Sequence, residues 1–224
     1  MDANQQPPMK DQNAIDLDDE MNKGLSPTGI KQLLDLIAQN SWWIPQEVYD
    51  KVKVVYPETR RMHSKEGKRT VVDGIRVWTN EPVIRGFWMA CGNRPKQVQN
   101  ANICHIYESS VYDPLHFTNL ANLTALPKSL ESLSEWEPAS RVLKYHSFKR
   151  YNYAGPNGTA VTEPDYYPSR WDHEVVLSSG QLDKVASELE HQRRTRAQYR
   201  RPQEANGAPS DVEARTRAVI PSGR

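Results

Sequence analysis

Apolar residues at helix or strand spacing occur only between about residues 26 and 200, which confines any packed core to that stretch. Upstream, residues 1–25 are polar and acidic without periodicity: Asp2, Asp11, Asp16, Asp18, Asp19 and Glu20 stand against Lys10 and Lys23. Such a segment reads as a disordered acidic arm. Residues 201–224 hold little that can pack and read as a disordered tail. Composition agrees, because the hydrophobic residues make up 37% of the 224 and the 11 glycines add only about 5% more, where a globular chain counted with glycine has roughly 45–50%. No run of 18 apolar residues occurs, so no transmembrane helix is expected. Met1 to Lys10 lacks the apolar stretch of a secretory signal. Cys91 and Cys104 are the only cysteines, too few for a disulfide framework. A reduced, cytoplasmic setting is the plain expectation.

Within residues 26–200 the pattern predicts one α+β domain. Ser26 is placed to cap a helix opened by Pro27, with Ile30, Leu33, Leu34 and Ile37 on one face and Asn40-Ser41 as the stop. A second helix opens at Pro45, carries Val48, Val52 and Val55, and stops at Tyr56-Pro57, with Trp42 and Trp43 packing between the two. Asp73-Gly74 between two β-prone runs predicts a hairpin, since both turn positions need positive φ. Residues 81–92 read as helical and 93–100 as a polar loop. Residues 102–107 and 120–126 read as strands joined by a loop. Pro127 then opens a helix with Leu130 and Leu133, and Pro138 opens another. Residues 154–171 are irregular, and Leu182, Val185, Ala186 and Leu189 mark a last amphipathic helix. No internal repeat is present.

A net charge of +1 points to no partner by itself. Its distribution says more. Residues 51–70 hold seven basic residues (Lys51, Lys53, Arg60, Arg61, Lys65, Lys68 and Arg69) against Glu58 and Glu66. Such an excess can attract phosphate, or it can be a solvated loop. Basic and aromatic residues interleave again from Arg141 to Trp171, including Lys149 and Arg150. That mixture suits a phosphate backbone with base stacking, and equally a tyrosine-rich packed loop.

One stretch carries candidate chemistry. Cys104-His105 ends a predicted strand, Tyr112-Asp113 lies in the following loop, Ala121-Asn122-Leu123 follows seventeen residues after His105, and a helix comes next. Taken alone, a His beside a Cys on a strand is usually a buried, satisfied pair. The longer arrangement resembles the HNH, or His-Me finger, endonucleases, whose site is a ββα-metal unit. It is similar in particular to bacterial HNH-domain proteins without zinc-knuckle cysteines. The resemblance covers about 35 residues, Cys104 to Leu126-Pro127 and onward.

The resemblance implies a central ββα-metal unit with flanking helices and one β-hairpin, acting on DNA. It implies His105 as the general base, a role that suits a group with an ordinary pKa near 6.5. It implies Asn122 as the residue that holds the loop and so orients the base. The family's third motif position, nine residues after the asparagine, is usually His or Asn and binds metal; here it is Glu131, a hard oxygen ligand suited to Mg²⁺ or Mn²⁺. The family usually has Asp or His where this chain has Cys104, whose thiolate would suit Zn²⁺ instead. Asp113 or Glu108 could replace the missing ligand. A four-ligand zinc site from Cys91, Cys104, His105 and His116 fits no familiar spacing. His116 is a loop residue or a phosphate contact.

The expected function is thus metal-dependent DNA cleavage, with a restriction or phage-defence role by analogy of fold. The alternative is a non-catalytic nucleic-acid-binding protein on the same scaffold. A protein-interaction module is a third reading. Two-fold symmetry of DNA makes a homodimer natural for double-strand cutting.

Overall fold

The computed structural model describes residues 23–68, 70–92, 100–158 and 161–198. Most of the acidic arm, the tail, Arg69 and most of the polar loop at 93–100 lie outside the described residues. The class is α+β, with helices packed around two small sheets.

Helix α1 spans Pro27–Asn40; Ser26 caps it by accepting the Gly29 N–H at 3.1 Å, and Pro27 occupies the first turn. Strand β1 is Trp42–Trp43. The tryptophans are therefore not a mere connector: Trp43 is fully buried and β1 is an inner strand. Helix α2 covers Gln46–Lys51 and stops earlier than the apolar spacing predicts. The β-branched Val52, Val54 and Val55 resist the helix, and the chain becomes extended with Val52 and Val55 still buried. There Val55 N–H bonds the Thr118 carbonyl and Tyr56 N–H bonds the Thr118 hydroxyl.

Strands β2 (Thr59–Arg61), β3 (Val71–Val72) and β4 (Ile75–Trp78) form one sheet in the order β2-β4-β3. The β3–β4 hairpin turns through Asp73 (φ 51°) and Gly74 (φ 76°), as the Asp-Gly pair predicts. Helix α3 follows at Glu81–Ala90. Strand β5 (Ala101–His105) and strand β6 (Leu123–Pro127) pair antiparallel, with His105 opposite Leu123. The short helix α4 (Pro114–Phe117) lies between them. Strand β6 also pairs with β1, and β1 runs parallel to β7 (His173–Glu174), giving the order β5-β6-β1-β7 with β5 at an edge.

No α-helix starts at Pro127. A turn leads into a single 3₁₀ turn, Glu131–Ser134, and helix α5 covers Glu137–Tyr151. Serine at 132 and 134 weakens the helix by competing for backbone groups; Ser134 Oγ donates to the Glu131 carbonyl at 2.7 Å. Pro138 has no N–H to give and must sit in the first turn of a new helix. Helix α6 spans Ser179–Gln198. One apolar cluster joins residues from Leu34 to Leu189, so these elements share a core. Among the described residues no helix is long and apolar enough to cross a membrane.

The core includes a buried histidine. His146 on α5 stacks on Trp171, with ring centroids 3.6 Å apart, and its Nδ1 pairs with the Tyr167 hydroxyl at 2.7 Å, while its Nε2 has no hydrogen-bond partner. Burial, aided by Arg150 and Lys149, pushes its pKa down to about 3. His105 is likewise pushed down to about 4, mainly by burial. For a base whose folded pKa is depressed, the unfolded chain takes up protons first as pH falls. Stability should therefore decline below about pH 6.5, by about 1.4 kcal/mol per pH unit for each histidine, until their folded pKa values are reached. Urea midpoints measured between pH 7 and 5 should fall steadily; a flat profile would contradict the depressed pKa of both rings.

Candidate active site

The site is built on the loop between β5 and β6. His105 is the last residue of β5, and its ring lies flat over Phe117, 5.6 Å between centroids and 11° between planes. Its Nε2 lies 3.0 Å from the Phe117 carbonyl oxygen. A carbonyl can only accept, so the neutral ring carries its hydrogen on Nε2 and presents Nδ1 as the basic nitrogen. Arg61 adds to the depression of the His105 pKa.

Asn122 is fully buried and holds that loop from inside. Its Oδ1 accepts the Tyr107 N–H at 2.9 Å; its Nδ2 donates to Ser110 Oγ at 2.9 Å and to the His116 carbonyl at 3.0 Å. Its own carbonyl accepts the Ile106 N–H. One side chain thus ties both ends of the loop together, beside the Phe117 carbonyl that orients His105. Polar asparagine is buried here because three backbone or hydroxyl groups of an irregular loop need partners.

His105 and Glu131 line a common cleft with Arg61, Cys104, Glu108 and Glu135; Asn80, Ile103 and Ser134 complete its walls. Its volume of about 120 Å³ has room for roughly four waters, well short of the roughly 300–1,000 Å³ of a small-molecule pocket. A substrate must reach it from outside. Glu131 accepts a hydrogen bond from the Asn102 amide. Glu135 is held above its ordinary pKa by burial, Glu108 and Glu131. Three carboxylates against one arginine leave the cleft with uncompensated negative charge.

Among the described residues no group of three or more His, Cys, Asp or Glu side chains is placed to hold a metal ion together. Mg²⁺ does not require one, since it keeps several waters and takes one or two carboxylates together with substrate oxygens. Glu108, Glu131 and Glu135 line the cleft with hard oxygen donors, but the three do not form one ligand group. Cys104 does not fit as a ligand. It is buried, bonded to Ser134, and pushed up to about 11 chiefly by burial, so it stays a neutral thiol. Asp113 is also elsewhere: it caps α4 by accepting the Leu115 N–H at 2.8 Å. The zinc alternative finds no support, as His116 bonds the Tyr153 hydroxyl at 2.7 Å and both cysteines are buried free thiols.

The basic residues separate into two groups. Arg60 is bound bidentately by Glu66 at 2.8 and 2.6 Å, which holds that carboxyl down to about 2, and Arg60 is buried. Arg150 donates to the Ile44 carbonyl, and Lys68 pairs with Glu81 at 3.3 Å. Lys149 stands over the Tyr167 ring. These side chains brace the fold, and His116 does the same through Tyr153. Arg61 and Lys65 make no ion pair among the described residues. Sequence reasoning missed Glu135, although its position one helical turn beyond Glu131 was the available signal.

No family model matches this chain, and neither the curated proteins nor the solved structures include a significant match.

Proposed function

We propose that this protein is a metal-dependent endonuclease of the HNH type that hydrolyses DNA phosphodiester bonds, working in the cytoplasm. The observation that carries the reading is the pinned loop: Asn122 secures both of its ends, and the Phe117 carbonyl fixes His105 with Nδ1 free to take a proton. His105 is neutral at pH 7, the state a general base needs. Arg61 supplies positive charge beside it for a phosphate. Glu131, with one further cleft carboxylate, Glu135 or Glu108, would hold a hard divalent cation, Mg²⁺ or Mn²⁺, beside its waters. When bound, that cation supplies charge to the phosphate and the leaving oxygen. A homodimer would present two such clefts to duplex DNA.

The test is nicking of supercoiled plasmid by the full chain in Mg²⁺ and in EDTA. Cleavage only in Mg²⁺ supports the reading. Salt-sensitive DNA binding without cleavage would turn it to the non-catalytic scaffold. Glu131→Gln removes one charge from the cleft, so half-maximal nicking should need about tenfold more Mg²⁺, and excess metal should recover part of the rate. Cys104→Ser should change it little, since a neutral thiol holds no Mg²⁺. The reverse ranking would remove the cleft carboxylates from the mechanism.

A further inference from the structure

We propose that the exposed rings of His63 and Tyr112 form a nucleobase platform beside the His105 cleft, selecting unpaired, single-stranded nucleic acid. This rests on the nuclease reading only for its purpose, not for its binding. The rings are stacked, with centroids 3.9 Å apart and planes 9° from parallel. Both residues are exposed, Tyr112 to 43%. A stacked pair in solvent buries little apolar surface for the core, so its outer face is free for another flat ring.

Its place in the fold supports that use. Arg61 lines the cleft, and its N–H bonds the Val111 carbonyl at 2.9 Å. His63 lies two residues after Arg61 and Tyr112 directly after Val111, so the platform adjoins the loop that follows His105. Two of the six exposed large apolar side chains among the described residues, Tyr112 and Leu115, lie in this same loop. Glu66 occupies Arg60 and Glu81 occupies Lys68, whereas Arg61 on the cleft wall and the exposed Lys65, two residues after His63, make no ion pair among the described residues and can meet a phosphate backbone. Aromatic stacking with adjacent cations is how proteins hold single strands with little sequence preference. A duplex keeps its base faces stacked inside and cannot use the platform.

Fluorescence anisotropy in EDTA tests this without cleavage, using the full chain and a labelled oligothymidylate of about 20 nucleotides, longer than the roughly 4–16 a small binding fold covers. Tyr112→Ala should weaken strand binding about tenfold and leave duplex binding unchanged, the loss expected for one stacked base. Tyr112→Phe keeps the ring and should restore binding. His63→Ala undoes the stack from the other side and should weaken binding if Tyr112→Ala folds poorly. An abasic strand should bind the wild type as weakly as it binds the variant. Unchanged strand affinity in both alanine variants, equal loss on duplex, or no strand binding by the wild type would each overturn the platform. If the wild type binds the strand through Tyr112 yet never cleaves, the platform stands and the nuclease reading falls.

Discussion

His105→Ala abolishes plasmid nicking in the expected result, while DNA binding in EDTA stays at the wild-type level. Removing a positioned general base costs about 10²–10⁴ in rate. The ring is not needed for affinity, because burial keeps it neutral and it offers a phosphate no charge. The fold should survive the change at a cost of about 1–3 kcal/mol for the orphaned Phe117 carbonyl, because Asn122 still pins the loop. The pH profile carries a second signature. A base pushed down to about 4 is unprotonated throughout the neutral range, so wild-type nicking should be flat from about pH 6 to 8. It should fall only as pH approaches 4. Nicking by His105→Ala at the wild-type rate would remove His105 from the chemistry.

Asn122→Ala should damage both stability and activity. The alanine variant removes three hydrogen bonds: the Tyr107 N–H loses its acceptor, while Ser110 Oγ keeps the Tyr107 carbonyl and the His116 carbonyl keeps the Asn119 N–H. The orphaned N–H costs about 1–3 kcal/mol and each of the other lost bonds about 0.5–1.5 kcal/mol, so a total of roughly 3–5 kcal/mol is expected. In a domain of this size each 1 kcal/mol lowers the melting temperature by about 2–4 °C, which gives a drop of roughly 10 °C or more. Activity should fall further than stability at a temperature where the variant is folded, because the same loop carries the carbonyl that orients His105. Asn122→Asp keeps the acceptor for Tyr107 but offers no donor to the His116 carbonyl, and should rescue little. Thermal melts alongside nicking assays decide it. A variant that melts with the wild type would mean that Asn122 does not hold the loop.

The two outcomes together separate positioning from chemistry. His105→Ala should lose far more rate than its smaller loss of stability explains, whereas Asn122→Ala should lose both heavily.

Local features written in neighbouring residues were legible in the sequence. The Ser26-Pro27 start of α1, the Asp73-Gly74 hairpin, the Pro138 start of α5 and the last amphipathic helix each depend on a few adjacent side chains and their own backbone. The seventeen-residue spacing from His105 to Asn122 likewise placed the two ends of one loop, since adjacent antiparallel strands bring such residues together. Tertiary structure decided the rest. It placed Trp42-Trp43 as an inner strand, because β6 and β7 supply partners on both sides that no local pattern records. It set Glu131 on a 3₁₀ turn and brought Glu135 and Glu108 into the same cleft from separate segments. It also allotted the basic residues, binding Arg60 to Glu66 and Arg150 to Ile44 while leaving Arg61 and Lys65 outward. A charge's sign is read from one residue, but its availability depends on what lies within about 4 Å, and that distance is fixed only when remote segments pack together.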